Sequence, residues 1–305
     1  MKIRANNIDI EVEDSGAGLN AQGQPRPVVL LIMGLGMQLT AWPPEMVQAL
    51  LDAGYRVLRF DNRDAGLSQH LHTLGKPRLL WVGLKFRLGW RITPPYRLQD
   101  MAGDALGVLD ALQIDRAHIM GVSMGGMIAQ RLALLAPARV LSLSSIMSSS
   151  GARGLPDAQP AVTRVMLSRP ANKSLEAAIE HTIKLFKAIG SPGFPMSDAQ
   201  LRPQVTAAAQ RSFDPVGILR QMVAVLADST RAAALADIRT PTLVLHGRAD
   251  PLVPFACGED TARRIPGARL VGIDGMGHDL PPGVVTQLLA HLIPHLAAAT
   301  SSQGH

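Results

Sequence analysis

The chain has 305 residues, 47% of them hydrophobic and 18% charged, which suits a large core built as one domain or one domain with an insertion. The 30 Lys and Arg outnumber the 24 Asp and Glu to give a net charge of +6, too small and too spread out to mark a partner of nucleic acid. Cys257 is the only cysteine, so an intrachain disulfide is excluded and a reducing compartment is tolerated.

The start, MKIRANNIDIEVED, alternates polar and apolar residues like an edge strand, and it lacks the apolar core and cleavage site of a signal peptide. The apolar runs fall short of the ~20 residues of a membrane span, so the expectation is a cytoplasmic protein. PVVLLIMG (27–34) reads as a buried strand and AWPPEMVQALLDAG as a helix. YRVLRFD (55–61) is a second strand, ending in the turn DNRDAGLS. Residues 98–113 place Met101, Ala105, Val108, Leu109 and Leu112 at helical spacing. RAHIMGV is the next strand, MIAQRLALLA the next helix and RVLSLSSIM (139–147) a further strand.

The alternation resumes with TPTLVLHG (240–247), a helical region to about Ile265, ARLVGID (268–274) and a last helix near 284–297, before a polar tail, TSSQGH. Such alternation predicts an α/β fold, with a mostly parallel central sheet flanked by helices. Residues 150–237 interrupt it. LEAAIEHTIKLFKAIG puts Leu175, Ile179, Ile183 and Phe186 on one helical face, SPGFP and Asp214-Pro215 break the pattern, and no strand intervenes. The expectation is a core domain of 1–149 and 238–305, with 150–237 as a helical cap over the carboxyl end of the sheet.

The stretch HIMGVSMGGMIAQ (118–130) passes from strand to helix around Ser123. A turn that tight crowds the backbone, and Gly121 and Gly125 supply flanking positions without bulk. Ser123 is thereby pushed out at a helix N-terminus, where free N–H groups favour negative charge. A serine hydroxyl needs a base. His278, in the glycine-flanked loop GMGHDLP after the last strand, can hang over the same sheet edge, whereas His118, His181, His246, His291 and His295 fall within strands or helices. The acid that orients the base is expected at Asp250, in HGRADPLVP, with Asp274 as its rival. An oxyanion hole would use the backbone N–H of Met124 and one from Met33-Gly34-Leu35-Gly36, with Leu35 preferred and Gly34 or Gly36 as alternatives.

These motifs, in the chain order Ser123, Asp250, His278, resemble the α/β-hydrolase superfamily over essentially the whole chain. LIMGLG with its following AW, DNRDAGLS, GVSMGG and IPGARLVGIDGMGHDLP resemble, within it, the aclacinomycin methylesterase group. Many relatives carry His-Gly where this chain has Met33-Gly34; a main-chain donor tolerates that change. The resemblance implies carboxylic ester substrates, a helical cap and no cofactor.

The expected activity is that of a serine carboxylesterase on short-to-medium acyl or methyl esters. The same triad serves C–C bond hydrolases, thioesterases and perhydrolases, and a non-catalytic binding protein on this scaffold is the reading of another class. Dehalogenases and epoxide hydrolases need an aspartate where Ser123 stands. No metal is expected, because the histidines lack metal-ligand spacing. The partner is a small-molecule ester, with monomer and homodimer both open. Residues 71–95 mix leucines and tryptophans with Lys and Arg. They are expected to bury an apolar face beside the pocket, with contact to lipid as the other reading.

Overall fold

The computed structural model describes residues 1–19, 23 and 25–301, so the last four residues of the polar tail lie outside the described residues. The chain opens with β1 (Lys2–Ala5) and β2 (Ile8–Asp14), paired antiparallel. The single edge strand expected there is therefore a hairpin. Its turn is Asn6-Asn7, with φ of 46° and 65°. Asparagine tolerates this left-handed geometry, and two such residues give a turn whose twist matches the strands.

Six more strands follow: β3 (Val28–Ile32), β4 (Arg56–Phe60), β5 (Ala117–Val122), β6 (Val140–Ile146), β7 (Thr242–Gly247) and β8 (Arg269–Ile273). They complete an eight-stranded sheet of order β1-β2-β4-β3-β5-β6-β7-β8. β2 meets β4 antiparallel, and all pairings from β4 to β8 are parallel.

The helices are α1 (Pro44–Asp52), α2 (Leu79–Arg87), α3 (Leu98–Ala111), α4 (Met124–Leu135), α5 (Pro160–Leu167), α6 (Leu175–Ile189), α7 (Asp198–Arg211), α8 (Pro215–Ala227), α9 (Arg231–Ala234), α10 (Phe255–Arg264) and α11 (Pro282–Ser301). β3 explains the layering. Val29 and Leu31 pack with Met46 of α1 and Leu288 and Leu292 of α11, while Leu30 and Ile32 pack with Val108 of α3 and Ile128 of α4. A strand covered on both faces has to be apolar at every position, as VVLLI is. By length and composition α11 could span a bilayer, unlike any stretch the sequence reading marked. Leu288, Leu292 and Leu296 are instead buried against the sheet.

Between β6 and β7 the chain runs through α5 to α9, with no strand among the described residues. This insertion rests on the loops that leave the carboxyl ends of β3, β4 and β8. Gln38 Nε2 donates to the carbonyls of Ala208 and Ser212 at 2.7 and 3.0 Å. Arg220 forks onto Asp64 at 2.8 and 2.7 Å, both side chains fully buried. Arg211 reaches buried Asp61 at 2.8 Å, and the Gly193 N–H donates to Gly275 O at 2.9 Å. The turn DNRDAGLS is thus a buried hub between core and insertion.

The expectation for residues 71–95 needs correcting. α2 has no buried residue. Only one side of it, with Trp81, Val82 and Lys85, faces Val223 of α8 across an open groove of about 290 Å³. Helical spacing turns the leucines at 80, 84 and 88 away from that groove, and none of them reaches a buried position.

Candidate active site

Ser123 is the whole turn between β5 and α4. Its φ of 55° and ψ of −120° lie in a region that an L-residue adopts only where its surroundings impose it. Two hydrogen bonds hold it there: Ser123 N–H donates to Ile146 O at 2.9 Å, and Ser148 Oγ–H donates to Ser123 O at 2.7 Å. A Cβ on Gly121 would stand 2.1 Å from Gly125 O, and one on Gly125 would stand 2.0 Å from Ile32 O. The glycines therefore answer to space. The positive φ belongs to the serine.

Asp250 follows β7. Its Oδ1 accepts the N–H groups of Leu252 and Val253 at 2.9 and 2.8 Å, and its Oδ2 lies 2.6 Å from His278 Nδ1. A carboxylate only accepts, so Nδ1 carries the hydrogen, leaving Nε2 to accept from Ser123 Oγ at 3.0 Å. Asp250 and His278 are both buried, which keeps water from competing for these bonds. Such a chain can take a proton from the hydroxyl as it attacks an electrophile. The rival Asp274 is almost fully exposed and pairs with Arg248 at 3.2 Å.

The other histidines lie elsewhere. His118 is buried between Ser142 Oγ and Thr300 Oγ1. His246 Nε2–H donates to Val253 O at 2.7 Å, and its burial pulls its pKa down, toward a neutral ring beneath the Asp250 loop. His181 is in α6, and His291 and His295 are in α11.

Loop 33–36 lies against the elbow: a Cβ on Gly34 would be 3.2 Å from Ser123 Cβ. The Gly36 N–H is already given to Gln221 Oε1 of α8 at 2.8 Å, so that alternative donor is engaged. Among the described residues, the N–H of Leu35 has no acceptor. Met124 holds the first helical position of α4, where an N–H has no partner inside its own helix. Met124 directly follows Ser123, and Leu35 follows Gly34, the residue that lies against it.

A further layer of the site was not read from the sequence. The end of α6 grips the histidine loop: His278 N–H donates to Ile189 O at 2.7 Å and Gly277 N–H to Ser191 Oγ at 2.8 Å. Ser191 Oγ–H in turn donates to Asp279 Oδ1, and burial holds the Asp279 carboxyl above the usual range. Gln221 completes a second grip by donating from Nε2 to Arg63 O at 2.7 Å. The only sequence signal was the helix-breaking SPGFP, which starts at Ser191.

Away from the serine, His70 Nδ1 and His72 Nδ1 lie 2.9 and 3.9 Å from Asp214 Oδ2. That carboxylate also caps α8 through the N–H groups of Val216 and Gly217 and meets Arg220 at 3.3 Å. Its acceptor capacity is taken up within the protein.

A serine on a strand-to-helix elbow, an acid after β7 and a histidine after β8 define the class: this chain belongs to the α/β-hydrolase family, and it is a hydrolase. Residues 27–176 match the model described as alpha/beta hydrolase fold and residues 224–285 the one described as TAP-like protein. The chain is 33% identical to rhodomycin D methylesterase DauP of Streptomyces sp. (strain C5) over 292 residues, 89% of this chain and 91% of that protein. Among solved structures, the enol-lactonase from Burkholderia xenovorans LB400 superposes with a TM-score of 0.68 at 23% identity, covering 97% of this chain and 100% of that one. The meta-cleavage product hydrolase CumD from Pseudomonas fluorescens IP01 gives 0.69 at 20% identity, covering 98% of each chain. At these identities the two structures speak for the fold.

Proposed function

We propose that the chain is a serine carboxylesterase that hydrolyses short-to-medium acyl or methyl esters through an acyl-enzyme. The observation that carries this reading is the unbroken hydrogen-bonded relay from Ser123 Oγ through His278 to Asp250. In the first half-reaction His278 Nε2 takes the hydroxyl proton as Ser123 Oγ attacks the ester carbonyl carbon. Asp250 stabilises the imidazolium. The N–H groups of Leu35 and Met124 hydrogen-bond the oxyanion of the tetrahedral intermediate, assisted by the N-terminal end of α4.

Collapse of that intermediate breaks the bond to the alcohol oxygen, which leaves with the proton from Nε2. Water then attacks the acyl carbon as the same nitrogen takes its proton, and the acid departs while Ser123 regains its hydrogen. The methylesterase relative supports methyl esters as one substrate class. The helical segment 150–237, read as a cap, is rich in leucine, alanine and valine, which favours apolar substrates.

The test is a panel of p-nitrophenyl esters from acetate to palmitate, with aryl methyl esters, run on the wild type and Ser123→Ala. Turnover is expected to fall by about 10⁶ in the variant if the three groups act as a unit, together with loss of labelling by a fluorophosphonate probe. A variant that keeps most of its activity, or a clear preference for palmitate, would count against the reading.

A further inference from the structure

Six large apolar side chains crowd one short exposed segment: Leu80, Trp81, Leu84, Phe86, Leu88 and Trp90 are between 45% and 94% exposed. An exposed apolar patch of this kind marks a place of contact. Lys76, Arg78, Lys85, Arg87 and Arg91 are interleaved with it, and from residue 65 to residue 99 there is no Asp or Glu. The segment has a defined shape. Trp81 meets Trp90 edge-on at 6.4 Å, the Lys85 ammonium sits 5.7 Å over the Trp81 ring, and Arg153 donates to Gly89 O at 3.2 Å. Leu80, Leu84 and Leu88 follow one another at helical spacing, with Arg87 beside them.

Charge decides what can cover this face. A second copy set against it would bring two sets of cations together with no anion between them. Phosphates of a nucleic acid would answer the cations but leave the leucines in water. A surface that offers acyl chains beneath a layer of negative phosphates satisfies both components at once.

We propose that α2 and the turn through Trp90 dock this protein onto an anionic phospholipid bilayer. Leu80, Leu84, Leu88, Phe86 and Trp90 enter the boundary between headgroups and acyl chains, Trp81 bracing Trp90 from the groove side, and the basic side chains meet the lipid phosphates. α2 packs on α8, and α8 holds loop 33–36 through Gln221. The docked face therefore lies on the side of the molecule that carries the serine.

The experiment is flotation of the full chain with vesicles of phosphatidylcholine, or of equimolar phosphatidylcholine and phosphatidylglycerol, at low and high salt. Expected is binding to the anionic vesicles that weakens as salt rises, with little binding to phosphatidylcholine alone. Arg87→Gln/Arg91→Gln should lower the partition by about 25-fold, at about fivefold for each charge. Leu80→Asp/Leu84→Asp should abolish binding while hydrolysis of a soluble ester stays at the wild-type rate. Three results would overturn the proposal: no flotation with anionic vesicles at low salt, equal flotation of the variants, or a dimer in sedimentation that Leu80→Asp/Leu84→Asp dissolves. The last would give the patch to a second copy. None of these readouts depends on the assignment of Ser123.

Discussion

Ser191 never touches the serine hydroxyl, yet it holds the loop that carries His278. Its Oγ accepts the Gly277 N–H and donates to Asp279, so Ser191→Ala leaves the buried Gly277 N–H without its partner and takes from the Asp279 carboxyl one of its two donors at Ser191. We expect kcat to fall by about ten- to a hundredfold from misplacement of the imidazole, with KM little changed and Ser191→Thr restoring most of the rate. Steady-state kinetics on one soluble ester decide it, and an unchanged kcat would make Ser191 merely structural. That Ser123, His278 and Asp250 would meet could be read in the sequence because each carries a local signature: glycines two residues to either side, a glycine-flanked loop, and an aspartate just beyond a strand. Ser191 could not. Its partners come from a segment about 86 residues further along, and nothing in SPGFP itself points to them.

Strands and helices of the core were legible because their apolar periods differ. The helix Leu98–Ala111 and the strand Val28–Ile32 fall within two residues of their expected bounds. Two elements were missed for opposite reasons. The Asn6-Asn7 hairpin turn is closed by residues that lack the more familiar glycine. α2 is amphipathic by composition, but no core awaits its apolar side. How the insertion is fastened was also hidden, because DNRDAGLS looks like a surface turn while Asp61, Asn62, Arg63 and Asp64 are buried. Arg220→Met should therefore cost about 3–5 kcal/mol, since it strands the Asp64 carboxylate away from water. Urea unfolding measures the loss, and adding Asp64→Leu should recover much of it. A single variant as stable as the wild type would show that Asp64 is not held by this pair.

Across the whole molecule, burial lowers the pKa of three histidines, His118, His246 and His295, and His118 is the clearest case. Burial, and then the charge of His295, depress the His118 pKa from 6.5 to about 4. The folded state thus prefers the neutral ring, and the unfolded chain binds its proton first. The stability from this site is full above pH 6.5 and drains away as pH falls toward about 4, a loss of about 3 kcal/mol. Asp14, held low by its hydrogen bond from Arg56, keeps its contribution until more acid conditions. Unfolding free energies at pH 7.5 and 4.5 should show this slope in the wild type, and a flatter one in His118→Gln; parallel slopes would place the titration elsewhere.

The double grip of the insertion, at Ser191 on one loop and Gln221 on another, bears on how such enzymes can be recombined. Residues 150–237 are not a detachable module. A chimera carrying a foreign segment there would inherit the host's Ser123 elbow but arrive without the fasteners for its His278 loop and its loop 33–36. The smallest unit that could be traded between relatives is that segment together with both stretches it clasps.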